Sequence, residues 1–174
     1  MKTLYSQAYR QLCEEMHKEK PWGTKGYRYI DDFYPHVKRL GCQTLLDYGC
    51  GRATIKEHLA EVNPEITVYC YDPCVPEYDL LPDSAHFVVC TDVMEHVEEQ
   101  YVANVLEHIC TLTERGAYFA IALTKAKRDL PDGTNAHITI KSAFWWIEQL
   151  KAQPWKVAEM NAGKKSLRVF LKKV

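Results

Sequence analysis

Residues 44–55 limit what this chain can fold into more than any other stretch. Thr44-Leu45-Leu46-Asp47-Tyr48 reads as a buried strand, Gly49-Cys50-Gly51 as a tight turn, and the residues up to Ile55 as the start of a helix. Ile55, Leu59 and Val62 fall at i, i+4 and i+7 of that helix, Asn63-Pro64 ends it, and residues 66–71 form a second β-rich run. Strand, helix, strand is the βαβ unit, whose crossover is almost always right-handed. Asp47 stands at the end of the first strand, just ahead of the glycines. That combination suggests a nucleotide-like cofactor lying over the turn, with Asp47 holding one of its polar groups.

The alternation extends along the chain. Leu4, Ala8, Leu12 and Met16 predict a helix over residues 3–18, and residues 18–26, with Pro21, Gly23 and Gly26, break it. Ile30, Phe33, Val37 and Leu40 restore a helical stripe. Pro35 is tolerable there if the helix starts near Asp31 or Asp32, and Gly41 is placed to end it. Residues 73–85 contain Pro73, Pro76 and Pro82 and predict a loop, too short and broken for a second full crossover. A strand at 87–90, apolar throughout because both faces are covered, leads to a helix marked by Val97, Tyr101, Val105, Ile109 and Leu112. Another buried strand follows at 116–123, then a polar connection at 124–139 and a helix capped by Ser142. Strands at 156–160 and 167–171 close the chain as a hairpin.

The expected fold is a three-layer α/β/α sandwich around a Rossmann-like, mostly parallel sheet with a C-terminal antiparallel hairpin. The third strand and its crossover helix are expected to be shortened or missing. One domain is expected over residues 1–174, with a helical cap at 1–40 and the core at 41–174.

Composition narrows the partners. Lys plus Arg (22) nearly balances Asp plus Glu (23), so no global field draws the protein to nucleic acid or to an anionic membrane. No apolar run is long enough to cross a bilayer, and the first residues are too polar for a signal peptide. The expected location is the cytoplasm, that of the host if the protein is phage-encoded. Seven cysteines then read as reduced thiols. Cys70 and Cys74 form a close pair with no second Cys/His pair to match it, so no metal is expected and the cysteines read as small core residues.

Open α/β sheets bind ligands outside the carboxyl ends of their strands, where Asp47, Asp72 and Asp92 are all expected. A dinucleotide turn would carry a third glycine where Thr54 stands, and the carboxylate ahead of Gly49 would repel a pyrophosphate. Asp47 suits an ammonium group, through a charge-assisted hydrogen bond. Asp72, one βα unit later, is placed for a ribose diol. An amino acid joined to a nucleoside meets both demands, and S-adenosylmethionine is such a molecule.

Asp47-Tyr48-Gly49-Cys50-Gly51, the strand-end Asp72 and Asp92-Val93-Met94-Glu95-His96-Val97 resemble the motifs of the class I S-adenosylmethionine-dependent methyltransferases. Residues 22–27, residues 130–137 and Trp145-Trp146 look more narrowly like small bacterial and phage-encoded members of undefined substrate. The resemblance implies that Gly49 and Gly51, with Cys50 between them, allow close backbone approach to the methionyl part. It implies that Asp47 meets the amino group, that Asp72 takes the ribose hydroxyls, and that Thr91 and Asp92 border the methyl-transfer site. With the third strand missing, adenine is left to Asp92 or to the turn at Pro73-Cys74-Val75.

Transfer to a hydroxyl or protonated amine needs a base within reach. His137, in the polar loop after the fifth strand of such folds, is the first candidate, and His96 the second. Trp145 and Trp146 are candidates to wall a pocket, although one of an adjacent pair is expected in the core, and Trp22 and Tyr27 are candidates for a lid. Lys125, Lys127, Arg128 and Lys141 make a basic patch sized for one phosphate or carboxylate. The favoured acceptor is a small molecule. A nucleic-acid acceptor is less favoured, because the Asn/Asp-Pro-Pro-aromatic and Pro-Cys motifs of such enzymes are absent from the segment at Asp92. A non-catalytic, regulatory or virion-associated cofactor-binding protein and a nicotinamide-dependent oxidoreductase are the readings from other classes.

Overall fold

The computed structural model describes residues 2–19 and 22–174. Lys20 and Pro21, part of the stretch expected to break the first helix, lie outside the described residues. The strands are β1 Thr44–Tyr48, β2 Thr67–Tyr71, β3 Ala85–Thr91, β4 Thr113–Ala122, β5 Trp155–Ala162 and β6 Ser166–Lys173. They form one sheet in the order β2-β1-β3-β4-β6-β5. The first four of that order run parallel, and β6 is antiparallel to both of its neighbours.

Five α-helices accompany the sheet in the described residues: α1 Gln7–Glu19, α2 Ile30–Arg39, α3 Thr54–Val62, α4 Val102–Leu112 and α5 Ala143–Lys151. Phe33 and Val37 of α2 and Ile55 and Leu59 of α3 pack with Leu45, Phe87, Val89 and Tyr118 in one buried cluster. Leu106 and Ile109 of α4 and Trp146 and Leu150 of α5 pack with Leu46, Val88 and Phe119 in the other. Neighbouring residues of one strand, such as Leu45 and Leu46, enter opposite clusters, as the period of two requires. Both faces are covered, which is why the central strands read as unbroken apolar runs. The result is the three-layer, Rossmann-like sandwich expected from the sequence, with its antiparallel hairpin at the C-terminal end.

Among the described residues no strand lies between β2 and β3, so β2 is the edge of the sheet. The intervening loop folds back on β2. The Asp72 N–H donates to the Tyr78 carbonyl at 2.9 Å, and the Asp72 carboxylate accepts the Cys74 N–H at 2.9 Å. Arg10 of α1 pairs with Asp79 at 3.2 Å and ties the N-terminal helix to this loop.

Several expected helix boundaries and buried positions shift. Ser6 accepts the Tyr9 N–H at 3.1 Å, so α1 starts at Gln7 and leaves Leu4 outside it. Its buried residues are Cys13 and Met16, while Ala8 is exposed. A 3-10 turn over Gly26–Tyr29 runs directly into α2, which places Pro35 inside the helix instead of in its first turn. Pro35 and Asp31 are both exposed, so the carbonyl that proline leaves without a donor meets water. Val97 precedes α4, separated from it by a short 3-10 turn at Glu99–Tyr101. Val62 is 59% exposed at the end of α3. No helix of the described residues is long and apolar enough to cross a membrane.

Candidate active site

The carboxyl ends of β1, β2 and β3 open into a cavity of about 620 Å3, bounded on its other sides by α1, residues 22–26, residues 125–128 and His137. That volume lies in the range of small-molecule sites. Asp47, Gly49, Cys50, Gly51, Asp72, Pro73, Thr91, Asp92, His96 and His137 all line it. Residues picked from four separate segments therefore share one space.

Asp47 is 3% exposed. Its carboxyl group has no hydrogen-bond partner among the described residues, and burial, the Cys70 thiol and the Asp72 carboxylate hold its pKa well above the ordinary carboxylate range. Asp72 is placed differently. Its Oδ2 accepts the Gly51 N–H at 3.0 Å and its Oδ1 the Cys74 N–H, which fastens the glycine turn to the end of β2. Each oxygen keeps a lone pair for a further donor.

The glycines serve the protein as well as any ligand. Gly49 has φ +80°, and a Cβ there would lie 2.3 Å from Cγ2 of Val93. Gly51 has φ +52°, and its Cβ would lie 2.6 Å from Cα of Gly23. At these two positions the direction a side chain would take is filled by Val93 and by the N-terminal segment, while the turn itself lines the cavity. Arg52 N–H donates to the Gly23 carbonyl at 3.1 Å. Thr54, standing where a dinucleotide turn has its third glycine, accepts the Tyr27 N–H at 3.3 Å through Oγ1. These bonds dock residues 23–27 on the turn.

At the other end of the cavity His96 and His137 meet edge to face, with ring centroids 4.9 Å apart. His96 Nδ1–H donates to the Ala136 carbonyl at 2.7 Å, and His137 Nδ1–H to the Thr124 carbonyl at 2.6 Å. A carbonyl only accepts, so each neutral ring carries its hydrogen on Nδ1 and keeps a lone pair on Nε2. Burial, with His137 nearby, pushes the His96 pKa down to about 4. Glu95 is fully buried beside them. Its Oε1 accepts the Ala122 N–H at 3.1 Å and lies 4.0 Å from His137 Nε2, while Oε2 has no partner. Burial, and then the Asp92 charge, push the Glu95 pKa up to about 8. Asp92 itself, at φ +54°, accepts the Tyr29 hydroxyl at 2.7 Å.

The other aromatic and basic candidates divide. Trp22 lines the cavity, edge-on to His96 at 5.8 Å, with Arg128 5.7 Å above its ring. Tyr27 lies outside the cavity near His58. Trp146 is fully buried in the core and Trp145 lies outside the cavity, so the pair builds no pocket wall. Lys125, Lys127 and Arg128 border the cavity, but Lys141 is drawn away by Glu99 at 2.7 Å.

Sequence reasoning missed Tyr9 and His17 of α1. Both line the cavity, and the Tyr9 hydroxyl and His17 Nδ1 are buried without hydrogen-bond partners. The available signal was that Tyr9, Cys13, Met16 and His17 make a second stripe at i, i+4, i+7 and i+8 beside the purely apolar one.

The family model described as a methyltransferase domain matches residues 6–159. A comparison with curated proteins finds no match. Among solved structures the chain is similar to the DhpI complex with S-adenosylhomocysteine, at 15% identity and a TM-score of 0.64, covering 97% of this chain and 98% of that one. It is also similar to the 1,6-didemethyltoxoflavin-N1-methyltransferase of Burkholderia thailandensis, at 13% identity and a TM-score of 0.63, over 100% and 93% of the two chains. The magnesium protoporphyrin IX methyltransferase of Synechocystis PCC 6803, solved with bound S-adenosylmethionine, matches at 14% identity and a TM-score of 0.61, over 97% and 86%. At such identities the structural likeness establishes the fold, and the family model, which spans most of the chain, establishes the kinship. The chain belongs to the methyltransferase-domain family, within the class I S-adenosylmethionine-dependent superfamily.

Proposed function

We infer that this protein transfers a methyl group from S-adenosylmethionine to an oxygen or nitrogen nucleophile of a small, anionic molecule. The observation that carries the reading is Asp47, a buried carboxylate without a protein partner, aimed at a cavity of cofactor size. The cofactor's ammonium group supplies the missing counter-charge, and the free lone pairs of Asp72 remain for ribose hydroxyls. The orphaned Tyr9 hydroxyl and His17 Nδ1 add polar partners from α1 that the missing third strand does not provide. When bound, the cofactor supplies a methyl group already activated on a sulfonium.

The chain's own task is then to align the acceptor and keep water out. Trp22 and α1 close the cavity over the sheet edge. Lys125, Lys127 and Arg128 border it and suit one carboxylate or phosphate of the acceptor. His137 and His96 offer Nε2 lone pairs to the nucleophile and its proton. A small acceptor agrees with relatives named for small-molecule substrates, magnesium protoporphyrin IX and 1,6-didemethyltoxoflavin. The narrower likeness to small phage and bacterial members is part of this reading.

Isothermal titration should show S-adenosylhomocysteine binding, and a well-folded protein that binds none would sink the proposal. A screen of cell extract with label-bearing cofactor should then reveal the acceptor. Cofactor binding with no labelled acceptor, together with a silent His137→Ala in vivo, would favour a regulatory cofactor-binding protein.

A further inference from the structure

One imidazole is enough to accept a proton, yet the cavity places two beside a carboxylate that the chain buries completely. Glu95 is 0% exposed, and its Oε2 has no hydrogen-bond partner. A buried carboxylate oxygen without a donor is destabilising, so its retention calls for a partner the protein itself does not supply. One ligand atom from each of Glu95, His96 and His137 lies within 4.8 Å of the other two. Behind each imidazole a backbone carbonyl accepts the Nδ1–H, at Ala136 and Thr124. That arrangement orients metal-binding histidines and leaves Nε2 as the ligand atom.

We propose that Glu95, His96 and His137 bind one divalent first-row transition-metal ion at the acceptor end of the cavity. Two imidazoles and one carboxylate with open positions suit the series from manganese to zinc. Bonds of about 2.0–2.2 Å would draw the three side chains inward around the ion. His96 and His137 line the cavity and Glu95 does not, so the open positions face the acceptor. The acceptor class this selects is a hydroxylated compound, because such an ion binds an oxygen nucleophile and eases its ionisation. With both Nε2 lone pairs on the ion, the imidazoles hold the metal in place of acting as bases, and the released proton passes to solvent. The expectation of no metal, drawn from cysteine spacing, overlooked this set because His137 joins Glu95 and His96 only through the fold. The purpose of the ion rests on the methyl-transfer reading; its binding does not.

Chelator-treated protein titrated with Co2+ should develop visible d–d absorption that saturates at one equivalent. Equilibrium dialysis against Zn2+ should give the same stoichiometry. His96→Ala and His137→Ala should each weaken Co2+ binding by more than about 100-fold, beyond the roughly 10–100-fold cost of losing a hydrogen-bond partner behind a ligand. Glu95→Gln keeps an acceptor for the Ala122 N–H and should do the same; should it fail to fold, the two histidine variants decide. Folded protein that takes up neither ion stoichiometrically, or uptake unchanged in both histidine variants, overturns the site. Calorimetry with S-adenosylhomocysteine on the same chelator-treated sample separates the two readings. Cofactor binding without metal uptake removes the metal site and leaves methyl transfer standing, and metal uptake without cofactor binding does the reverse.

Discussion

At the carboxyl end of β1 the Asp47 carboxylate, largely buried at the cavity wall, has no protein donor to stabilise its charge, and Asp72 stands close enough to oppose it. Its pKa is therefore raised on folding from an unfolded value of about 3.9. Between those two values the folded state binds more protons than the unfolded one. The contribution of this group is fully present below about pH 4 and is lost as pH rises through the folded pKa. Asp47→Asn should accordingly stabilise the ligand-free protein at neutral pH by about 1–3 kcal/mol, the scale of an unpartnered buried polar group. Urea unfolding across pH should show that advantage vanish in acid and grow as pH rises; equal stabilities at neutral pH would mean that the carboxylate has a partner. The same substitution should weaken S-adenosylhomocysteine binding by about 1.5–3 kcal/mol, as a lost hydrogen bond to a charged group does. Asp72→Ala carries a different signature. It releases the N–H groups of Gly51 and Cys74, so both stability and affinity should fall together.

The glycine turn and the N-terminal segment act as one element. Gly23 has φ +67°, and a Cβ there would lie 2.6 Å from Cα of Gly51, so Gly23→Ala must lift residues 23–27 off the turn. Backbone strain of this kind costs about 1–3 kcal/mol. Hydrogen exchange should show residues 22–29 losing protection while the amides of β1 and β3 keep theirs, with cofactor affinity falling in parallel. Protection unchanged in the segment would mean that it is held from elsewhere. Thr54→Val, which removes only the acceptor for the Tyr27 N–H, should give a milder version, about 0.5–1.5 kcal/mol.

In the whole molecule the missing third strand shifts work to the N-terminus. β2 becomes the sheet edge, the loop after it folds back on Asp72, and α1 reaches over the cavity to Asp79. Met16 of α1 and Trp22 pack with Leu130 and Ala136 of the loop that carries His137, so the N-terminal segment and this loop form one small apolar cluster. A ligand held between them binds the folded state alone. S-adenosylhomocysteine at about 100 times its Kd should add about 2.7 kcal/mol, which for a chain of this size raises Tm by about 5–10 °C. Scanning fluorimetry would show this, and no shift at saturating ligand would argue against a site between α1 and the sheet edge.

Local pattern alone determined the strand–turn–helix at 44–55, the covered central strands, the terminal hairpin and the absence of a crossover after β2. Each of these depends on the period of a short segment or on residues that break it, such as the prolines after Asp72. The carboxylates at strand ends were legible for the same reason, since parallel topology sends every such end to one edge. What the glycines face was not legible, because Val93 and Gly23 reach them from other segments. Nor was the gathering of Glu95, His96 and His137, or the turning of Tyr9 and His17 toward the cavity. Those contacts join residues remote in sequence, and only the packing of α1 and the 124–139 loop over the sheet edge brings them together.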